Sequence, residues 1–207
     1  DQLFLNAKNI NNNVADYDLV RKMRASILIL GPLLARFNQA NISLPGGCAI
    51  GTRPIDIHLE SLSKLGVQFQ IENGFVKAIA KNSLKGAEIN LSFPSVGATE
   101  NLLMAACLAK GRTVINNSAK EPEINDLITC LNFMGGKISN SNNQIIIQGV
   151  KSLNDAQYTI MSDRIVAGTF IILAVMLNKE FIVKNFDTNY LTSLFNILKK
   201  MKANLQI

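Results

Sequence analysis

Tryptophan is absent from this chain of 207 residues, which has only three tyrosines, three cysteines and one histidine. Surfaces that bind single-stranded nucleic acid usually combine a basic groove with stacked aromatic side chains. Here the lysines are scattered along the chain and the tyrosines stand alone. The net charge of +6 suggests anionic partners, but we expect no nucleic acid among them.

Long hydrophobic runs are also missing. The two longest uncharged apolar runs cover residues 165–177 and 25–35, and Gly31 and Pro32 interrupt the second. Both fall short of the roughly 18 residues that a membrane span requires. We therefore expect buried helices and no membrane span. A hydrophobic content of 48% in 207 residues is enough for one full domain, or for one domain and part of a second.

Cysteine is too rare and too irregularly spaced for a zinc site or a disulfide framework. With no signal-peptide pattern either, we expect a reducing, cytoplasmic location, no metal and no cofactor. Cys107 and Cys130 lie at helical spacing among apolar neighbours, which predicts two buried, unreactive thiols.

The third cysteine has a different setting. Residues 45–54 read PGGCAIGTRP, so Cys48 follows two glycines, Gly46 and Gly47, that permit unusual backbone angles. This composition predicts a mobile loop that exposes the thiol, with Arg53 as a planar cation for an anionic ligand beside it. The alternative is a hairpin with an incidental Cys, because a free Cys usually behaves as a small buried hydrophobe.

A repeat of helices and strands runs through the chain. Helices that end at Leu65-Gly66, Met134-Gly135 and Met201-Lys202 follow one another at nearly equal intervals. Each predicted unit has an apolar helix, a short strand, an amphipathic helix and two closing strands. The apolar helices are predicted at 25–37, 99–110 and 167–177, the short strands at 41–44, 113–116 and 181–184, and the closing pairs at 67–71 with 76–80 and 136–139 with 144–148. The third unit lacks a complete closing pair, so we expect the chain to be an internal fragment of a longer protein.

Several segments carry a specific resemblance to a known family. Residues 23–37, 43–66, 93–101, 120–124 and 163–170 resemble, in order, signature segments of the bacterial UDP-N-acetylglucosamine enolpyruvyl transferases. The glycine-flanked Cys followed by Arg-Pro-x-Asp is the most specific of these features, whereas the helices alone would indicate only the wider enolpyruvyl transferase group.

This resemblance implies an α/β (α+β) fold of repeated βαβαββ units in an inside-out α/β barrel, with about two and a half units present. It also implies a two-domain enzyme with its active site between the domains. Residues 1–161 would form most of the first domain, and residues 162–207 the beginning of the second.

The implied reaction transfers enolpyruvyl from phosphoenolpyruvate to the 3-hydroxyl of UDP-N-acetylglucosamine, the first committed step of peptidoglycan synthesis. In the family, the cysteine that matches Cys48 donates a proton and forms covalent adducts with phosphoenolpyruvate and with fosfomycin. The resemblance also implies that the remainder of the second domain completes the active site, so we expect this chain alone to be inactive.

The resemblance assigns substrate-binding roles to three groups of residues. They are Arg24; Arg53, Pro54, Ile55, Asp56 and Ile57; and Phe93, Pro94, Ser95, Val96 and Gly97. The residues alone leave another interpretation open for each group. Arg24 could equally be a charge on the protein surface, and Asp56 could equally be a plain helix cap. Ser95 to Gly97 could form one of the turns that are common at the start of a helix. His58 is expected to be a surface or ligand-edge residue rather than a catalytic base.

Four positions depart from the family pattern: Asp16, Ser162, Val166 and Lys202. Two other functions stay open. One is a sister enolpyruvyl transferase that acts on shikimate 3-phosphate, which should lack the Pro-Gly-Gly-Cys loop. The other is a non-catalytic module that binds an anion or a nucleotide sugar.

Overall fold

The computed structural model describes residues 2–46, 55–141 and 144–206. The chain divides into two compact units, Asp1–Tyr158 and Thr159–Ile207. No helix in the described ranges is long and apolar enough to cross a membrane.

The first unit contains two four-stranded sheets with the same topology. The strands are β1 (Val14–Ala15), β2 (Gln39–Ser43), β3 (Gln68–Glu72), β4 (Phe75–Ile79), β5 (Glu88–Asn90), β6 (Arg112–Asn116), β7 (Lys137–Ser141) and β8 (Gln144–Gln148). Their spatial orders are β1-β2-β4-β3 and β5-β6-β8-β7. The first pair in each sheet is parallel and the other pairs are antiparallel.

Helices occupy matching places in the two repeats. They are α1 (Tyr17–Val20), a 3-10 helix (Arg24–Ile29), α2 (Leu30–Phe37), α3 (Asp56–Lys64), α4 (Val96–Ala106) and α5 (Pro122–Phe133). Each repeat therefore runs strand, helix, strand, helix, strand, strand, which confirms the βαβαββ repeat for this unit. A parallel pair needs a crossover connection, and the apolar helices α2 and α4 supply it.

Two predicted helices differ from the structure at their ends. The helix predicted at 25–37 begins as the 3-10 segment, and Pro32 lies in the first turn of α2, where an amide hydrogen is not required for the helix. The helix predicted at 99–110 runs from Val96 to Ala106 instead. Its start moves because Ser95 caps it by accepting a hydrogen bond from the Ala98 amide.

Helix α4 lies at the centre of the core. It packs against α2, α3 and α5, and its buried residues surround it: Ala98, Thr99, Asn101, Leu102, Leu103, Ala105 and Ala106. Leu30 and Leu34 of α2 and Leu62 of α3, on the helices that pack against α4, are fully buried. A helix that is apolar nearly all round has to be covered by neighbours. The helices of the two repeats therefore share one core.

The three repeat ends have the same backbone conformation. Gly66 and Gly135 both have φ of +93°, and Lys202 has φ of +61°. Each residue follows a helix and closes it in the left-handed region, which glycine adopts without strain. Lys202 occupies the place of a glycine and carries a Cβ in a conformation that L-residues disfavour.

The second unit contains helix α6 (Arg164–Leu177), a 3-10 turn (Thr188–Leu191) and helix α7 (Thr192–Lys200). Asp163 caps α6 by accepting from the amides of Ile165 and Val166, at 2.8 and 2.9 Å. The strand predicted at 181–184 is wrong, since the described residues of this unit contain no strand. Its counterpart β2 is held by hydrogen bonds to β1 and β4, and the described part of this unit provides no such neighbours.

Candidate active site

The first residues of three helical segments lie near one another in the first unit. Arg24 begins the 3-10 helix, Asp56 begins α3 and Val96 begins α4. His58 connects them, since its ring is influenced by the charges of both Arg24 and Asp56 and it lies against Gly97. The structure thus brings together members of all three predicted substrate-binding groups.

Gly97 allows α4 to approach the ring of His58 closely. A Cβ added at Gly97 would lie 3.0 Å from His58 Cε1 and 3.3 Å from Nε2. Such contacts are tighter than side chains normally make, so a larger residue would push the ring away. Packing against His58 therefore favours a glycine at this position of the predicted Ser-x-Gly turn.

His58 is buried, with 6% of its surface exposed, so the first of its two expected positions, at the surface, is wrong, and a position at the edge of a ligand stays a prediction. The pKa of His58 falls from 6.5 to about 4, chiefly because the ring is buried; the Arg24 charge also lowers this pKa, and the Asp56 charge opposes the change. Desolvation disfavours the charged imidazolium, and a neighbouring cation adds to this effect. The ring is therefore neutral at neutral pH.

Asn101 is the buried polar residue that sequence reasoning missed. Its side chain is fully buried on α4 and makes three hydrogen bonds. Oδ1 accepts from the Gly31 amide at 2.8 Å, and Nδ2 lies 3.0 Å from the Ile27 carbonyl oxygen and 2.9 Å from His58 Nδ1. The signal in the sequence was a single amide that precedes the apolar run Leu102–Ala106 of this helix, because a buried polar group has to find partners.

The amino end of α4 is held by a small hydroxyl network. Ser95 Oγ accepts from the Ala98 amide at 3.3 Å, and Thr99 Oγ1 donates to the Ser95 carbonyl at 2.8 Å and accepts from the Ala119 amide at 3.1 Å. Ahead of it, Phe93 is 63% exposed, and Pro94 is exposed too. The positive end of the helix dipole and the first amides of α4 make this end suitable for an anion.

The residues at the start of α3 have three different environments. Ile55 belongs to the core, Asp56 is exposed and Ile57 is half-buried. Ile55 occupies the cap position and Asp56 is the first helical residue, so the plain-cap interpretation of Asp56 is wrong. Ile57 lines a shallow groove together with residues at the end of β5. An acidic side chain in a first helical turn is favourable without any capping bond.

Cys48, Arg53 and Pro54 lie outside the described residues. The described residues that flank this segment are Gly46 and Ile55. A Cβ added at Gly46 would lie 2.9 Å from the Arg21 carbonyl oxygen, so the backbones approach closely there. Ile55 is buried in the core immediately before Asp56.

The two other thiols differ from each other. Cys107 is fully buried, which confirms its predicted burial, and burial raises its pKa to about 11. Cys130 is only half-buried, so its predicted burial is wrong. Burial and the nearby Asp126 carboxylate still raise the pKa of Cys130. The helix α5 that carries it covers the core with one face only, and Cys130 lies beside that face. Among the described residues, no group of three or more His, Cys, Asp or Glu is arranged to hold a metal ion.

Comparison with known proteins decides the family. The family model of EPSP synthase (3-phosphoshikimate 1-carboxyvinyltransferase) matches residues 1–207. The chain belongs to this enolpyruvyl transferase family. Solved structures agree on the fold: the enolpyruvyl transferase NikO from Streptomyces tendae has a TM-score of 0.74 at 21% identity, over 93% of this chain and 47% of that chain. EPSP synthase from Acinetobacter baumannii has a TM-score of 0.67 at 22% identity, over 88% of this chain and 42% of that chain. The predicted fold class is confirmed.

Similar curated sequences refine this result. A protein of Carboxydothermus hydrogenoformans named UDP-N-acetylglucosamine 1-carboxyvinyltransferase 2 is 50% identical over 207 residues, which are 100% of this chain and 49% of that protein. A UDP-N-acetylglucosamine 1-carboxyvinyltransferase of Gluconobacter oxydans is 59% identical over 157 residues, 75% of this chain and 38% of that protein. The predicted resemblance to the UDP-N-acetylglucosamine enzymes is confirmed. The chain spans about half the length of the curated relatives that it matches.

Proposed function

We propose that this chain carries the cysteine-loop part of an enzyme that transfers enolpyruvyl from phosphoenolpyruvate to the 3-hydroxyl of UDP-N-acetylglucosamine. The observation that supports this most is the name shared by relatives 47 to 59% identical to it. Arg24, the start of α3 and the start of α4 also lie near one another, as an anion-binding cleft would need. The product would enter peptidoglycan synthesis.

The substrates bring several negative charges into one cleft. We assign the contacts with phosphate oxygens to Arg24, Arg53 and the first amides of α4 after Ser95. A guanidinium binds phosphate through two parallel hydrogen bonds, and each charge-assisted bond contributes roughly 1.5–3 kcal/mol. Backbone amides at a helix start add further donors without adding a side chain.

The neighbouring segments would bind the nucleotide. We assign hydrogen bonding to Asp56 and apolar contact to Pro54 and Ile57. Ile55 would contribute its backbone only, because its side chain lies in the core. At the other helix, the exposed Phe93 and Pro94 and the half-buried Val96 and Gly97 would line the same cleft.

Cys48 would act as the general acid. The sugar hydroxyl gives its proton to a general base as its oxygen forms a bond to C2 of phosphoenolpyruvate, while the C3 methylene takes a proton from the Cys48 thiol. The new methyl group then gives a proton back to a base, the double bond re-forms, and the C2–O bond breaks to release phosphate. An ordinary thiol is largely protonated at neutral pH, so Cys48 can donate, and a nearby arginine would make it more acidic.

A sister activity on shikimate 3-phosphate is the second candidate, because the matching family model is described by that reaction. The curated relatives that are 50% and 59% identical to this chain are both named for the nucleotide sugar, which favours UDP-N-acetylglucosamine as the acceptor instead. A third candidate applies to this chain by itself: it would bind a nucleotide sugar without catalysing a reaction. The chain spans about half the length of those relatives.

Phosphate release by the full-length protein tests the proposal. We expect release with phosphoenolpyruvate and UDP-N-acetylglucosamine together, and none when shikimate 3-phosphate replaces the nucleotide sugar. Arg24→Ala should weaken nucleotide-sugar binding, whereas Arg36→Ala is the matched control, because Arg36 donates to the carbonyls of Ala7 and Lys8 instead. Phosphate release from phosphoenolpyruvate with shikimate 3-phosphate, but not with UDP-N-acetylglucosamine, would establish the second candidate.

A further inference from the structure

The Asn101 side chain takes the place of a helical hydrogen bond. In an unbroken α-helix the Gly31 amide would donate to the Ile27 carbonyl, four residues earlier. Here the Asn101 carboxamide joins both groups, accepting from the first and donating to the second. The junction between the 3-10 segment and α2 lies at this point. A side chain inserted into the helical ladder is a recognised cause of such a change in helix geometry.

Gly31 allows this insertion. A Cβ on Gly31 would lie 2.5 Å from the Asn101 carbonyl oxygen and 2.9 Å from Oδ1. A side chain of any size is therefore excluded where α4 meets the start of α2. The 3-10 segment that begins at Arg24 is fixed to α4 through this contact.

The same bonds determine the proton position on His58. Oδ1 of Asn101 accepts from a backbone amide, so the other atom of the carboxamide is Nδ2, a donor only. Nδ2 lies 2.9 Å from His58 Nδ1, which must therefore be the unprotonated nitrogen that accepts. In a neutral ring the proton is then on Nε2.

The protonated nitrogen faces the candidate site. The Cε1–Nε2 edge of the ring lies against Gly97 at the amino end of α4. Within the described residues, Nε2 makes no hydrogen bond to an acceptor. Arg24 and Asp56 are the charged groups that act on the ring.

We propose that Asn101 is a positioning residue that fixes His58 as the Nε2–H tautomer and fixes the Arg24 segment to α4, so that the cleft receives a neutral hydrogen-bond donor beside a cation. The role in the cleft rests on the proposed function; the tautomer does not. An acceptor oxygen of an anionic ligand is the chemical partner for this N–H. The low pKa of His58 supports the neutral ring.

Nitrogen NMR of the ¹⁵N-labelled chain tests the tautomer directly, because His58 is the only histidine. We expect Nε2 to show the shift of a protonated nitrogen and Nδ1 that of an unprotonated one at neutral pH. A scalar coupling between Asn101 Nδ2 and His58 Nδ1 should also be visible across the hydrogen bond. A protonated Nδ1 in the unaltered chain would overturn the proposal.

Asn101→Asp tests whether Asn101 causes the tautomer. The carboxylate accepts where the amide donates, so we expect the proton to move to Nδ1 and the His58 pKa to rise by about one to three units. Thr99→Val is the matched control: it removes another buried polar side chain from α4 but leaves the His58 contacts unchanged. A His58 spectrum unaltered in folded Asn101→Asp would contradict the proposal. If that variant does not fold, the coupling in the unaltered chain decides.

Binding of UDP-N-acetylglucosamine separates this inference from the proposed function. In the full-length protein, His58→Gln keeps an amide N–H in place of Nε2–H, whereas His58→Phe keeps only the ring. We expect the dissociation constant to stay within a few-fold for Gln and to rise at least tenfold for Phe. Equal affinity for both variants would remove His58 from the cleft. No binding by the unaltered protein would instead reject the proposed function and leave the tautomer result standing.

Discussion

Asn101 Nδ2 lies 2.9 Å from His58 Nδ1, and both side chains are buried although they belong to different repeats. His58 is on α3 of the first repeat and Asn101 on α4 of the second. This hydrogen bond crosses the shared core and ends at the ring that lies against Gly97, near the start of α4. It links the packing of the two repeats to the chemistry of the candidate site.

The pH dependence of folding should report His58. Its pKa is about 4 in the folded chain and 6.5 in the unfolded one, so between these values only the unfolded chain takes up the proton. The free energy of unfolding should therefore fall as the pH falls through this window, by about 2 kcal/mol between roughly pH 7 and pH 5. Above this window the contribution is constant.

Urea unfolding at several pH values measures this change, with His58→Gln as the control that lacks a titrating ring. The carboxylates titrate in both proteins. The difference between the two proteins in the slope of unfolding free energy against pH therefore isolates the contribution of His58. Identical slopes would show that His58 is not buried as a neutral ring.

Lys202→Gly should stabilise the second unit. Lys202 has φ of +61°, a left-handed conformation that Gly66 and Gly135 adopt at the matching places. Removing the Cβ relieves about 1 kcal/mol of strain. Hydrogen exchange of the α7 amides is the measurement. Lys200→Gly, within α7, is the control and should destabilise the same helix by about 1 kcal/mol.

Thiol reactivity should follow a definite order. We expect Cys48 to react first, the half-buried Cys130 more slowly, and Cys107 last, because it is fully buried and its pKa is about 11. Peptide mapping after brief alkylation of the folded chain gives the order. Modification of Cys107 before Cys130 would contradict the deeper burial of Cys107. Modification of either thiol before Cys48 would contradict the prediction that Cys48 lies on an exposed loop.

Substitution of Cys48 in the full-length protein should separate a proton donor from an obligatory nucleophile. Asp can donate a proton, but its ordinary pKa of about 3.9 leaves little of it protonated at neutral pH. We expect Cys48→Asp to remain active with its optimum moved toward acid and to resist fosfomycin, and Cys48→Ser to be nearly inactive. Steady-state rates across pH provide the test. Equal rates for Ser and Cys would remove the general-acid role.

Periodicity predicted the repeated fold well. Apolar spacing located α2, α4, α5 and the closing strands of both complete repeats, because a face buried against a sheet or a helix imposes a regular pattern on the sequence. Cys107 was also placed correctly by its apolar neighbours on the helix. These are local patterns, and each one constrains its own element.

Single polar residues and lone strands were predicted less well. His58 was expected at the surface or at the edge of a ligand, but it is buried because α4 packs over it through Gly97. The strand expected at 181–184 is absent from the described residues, since a strand forms only where neighbours accept its hydrogen bonds. Cys130 lies at a helical position like that of Cys107, yet only one side of its helix is covered. Each of these outcomes depends on a neighbour far along the chain.

The sequence by itself determined the family and the repeat of the first unit, because these depend on motifs and on hydrophobic periods within short segments. Tertiary structure alone decided that Arg24, His58 and Gly97 lie together, and that the Asn101 side chain lies within hydrogen-bond distance of His58 Nδ1. The physical reason is that an isolated polar side chain has no preferred partner until folding removes water from it. At that point its hydrogen bonds have to be made with whichever groups the packing of the two repeats has brought within reach.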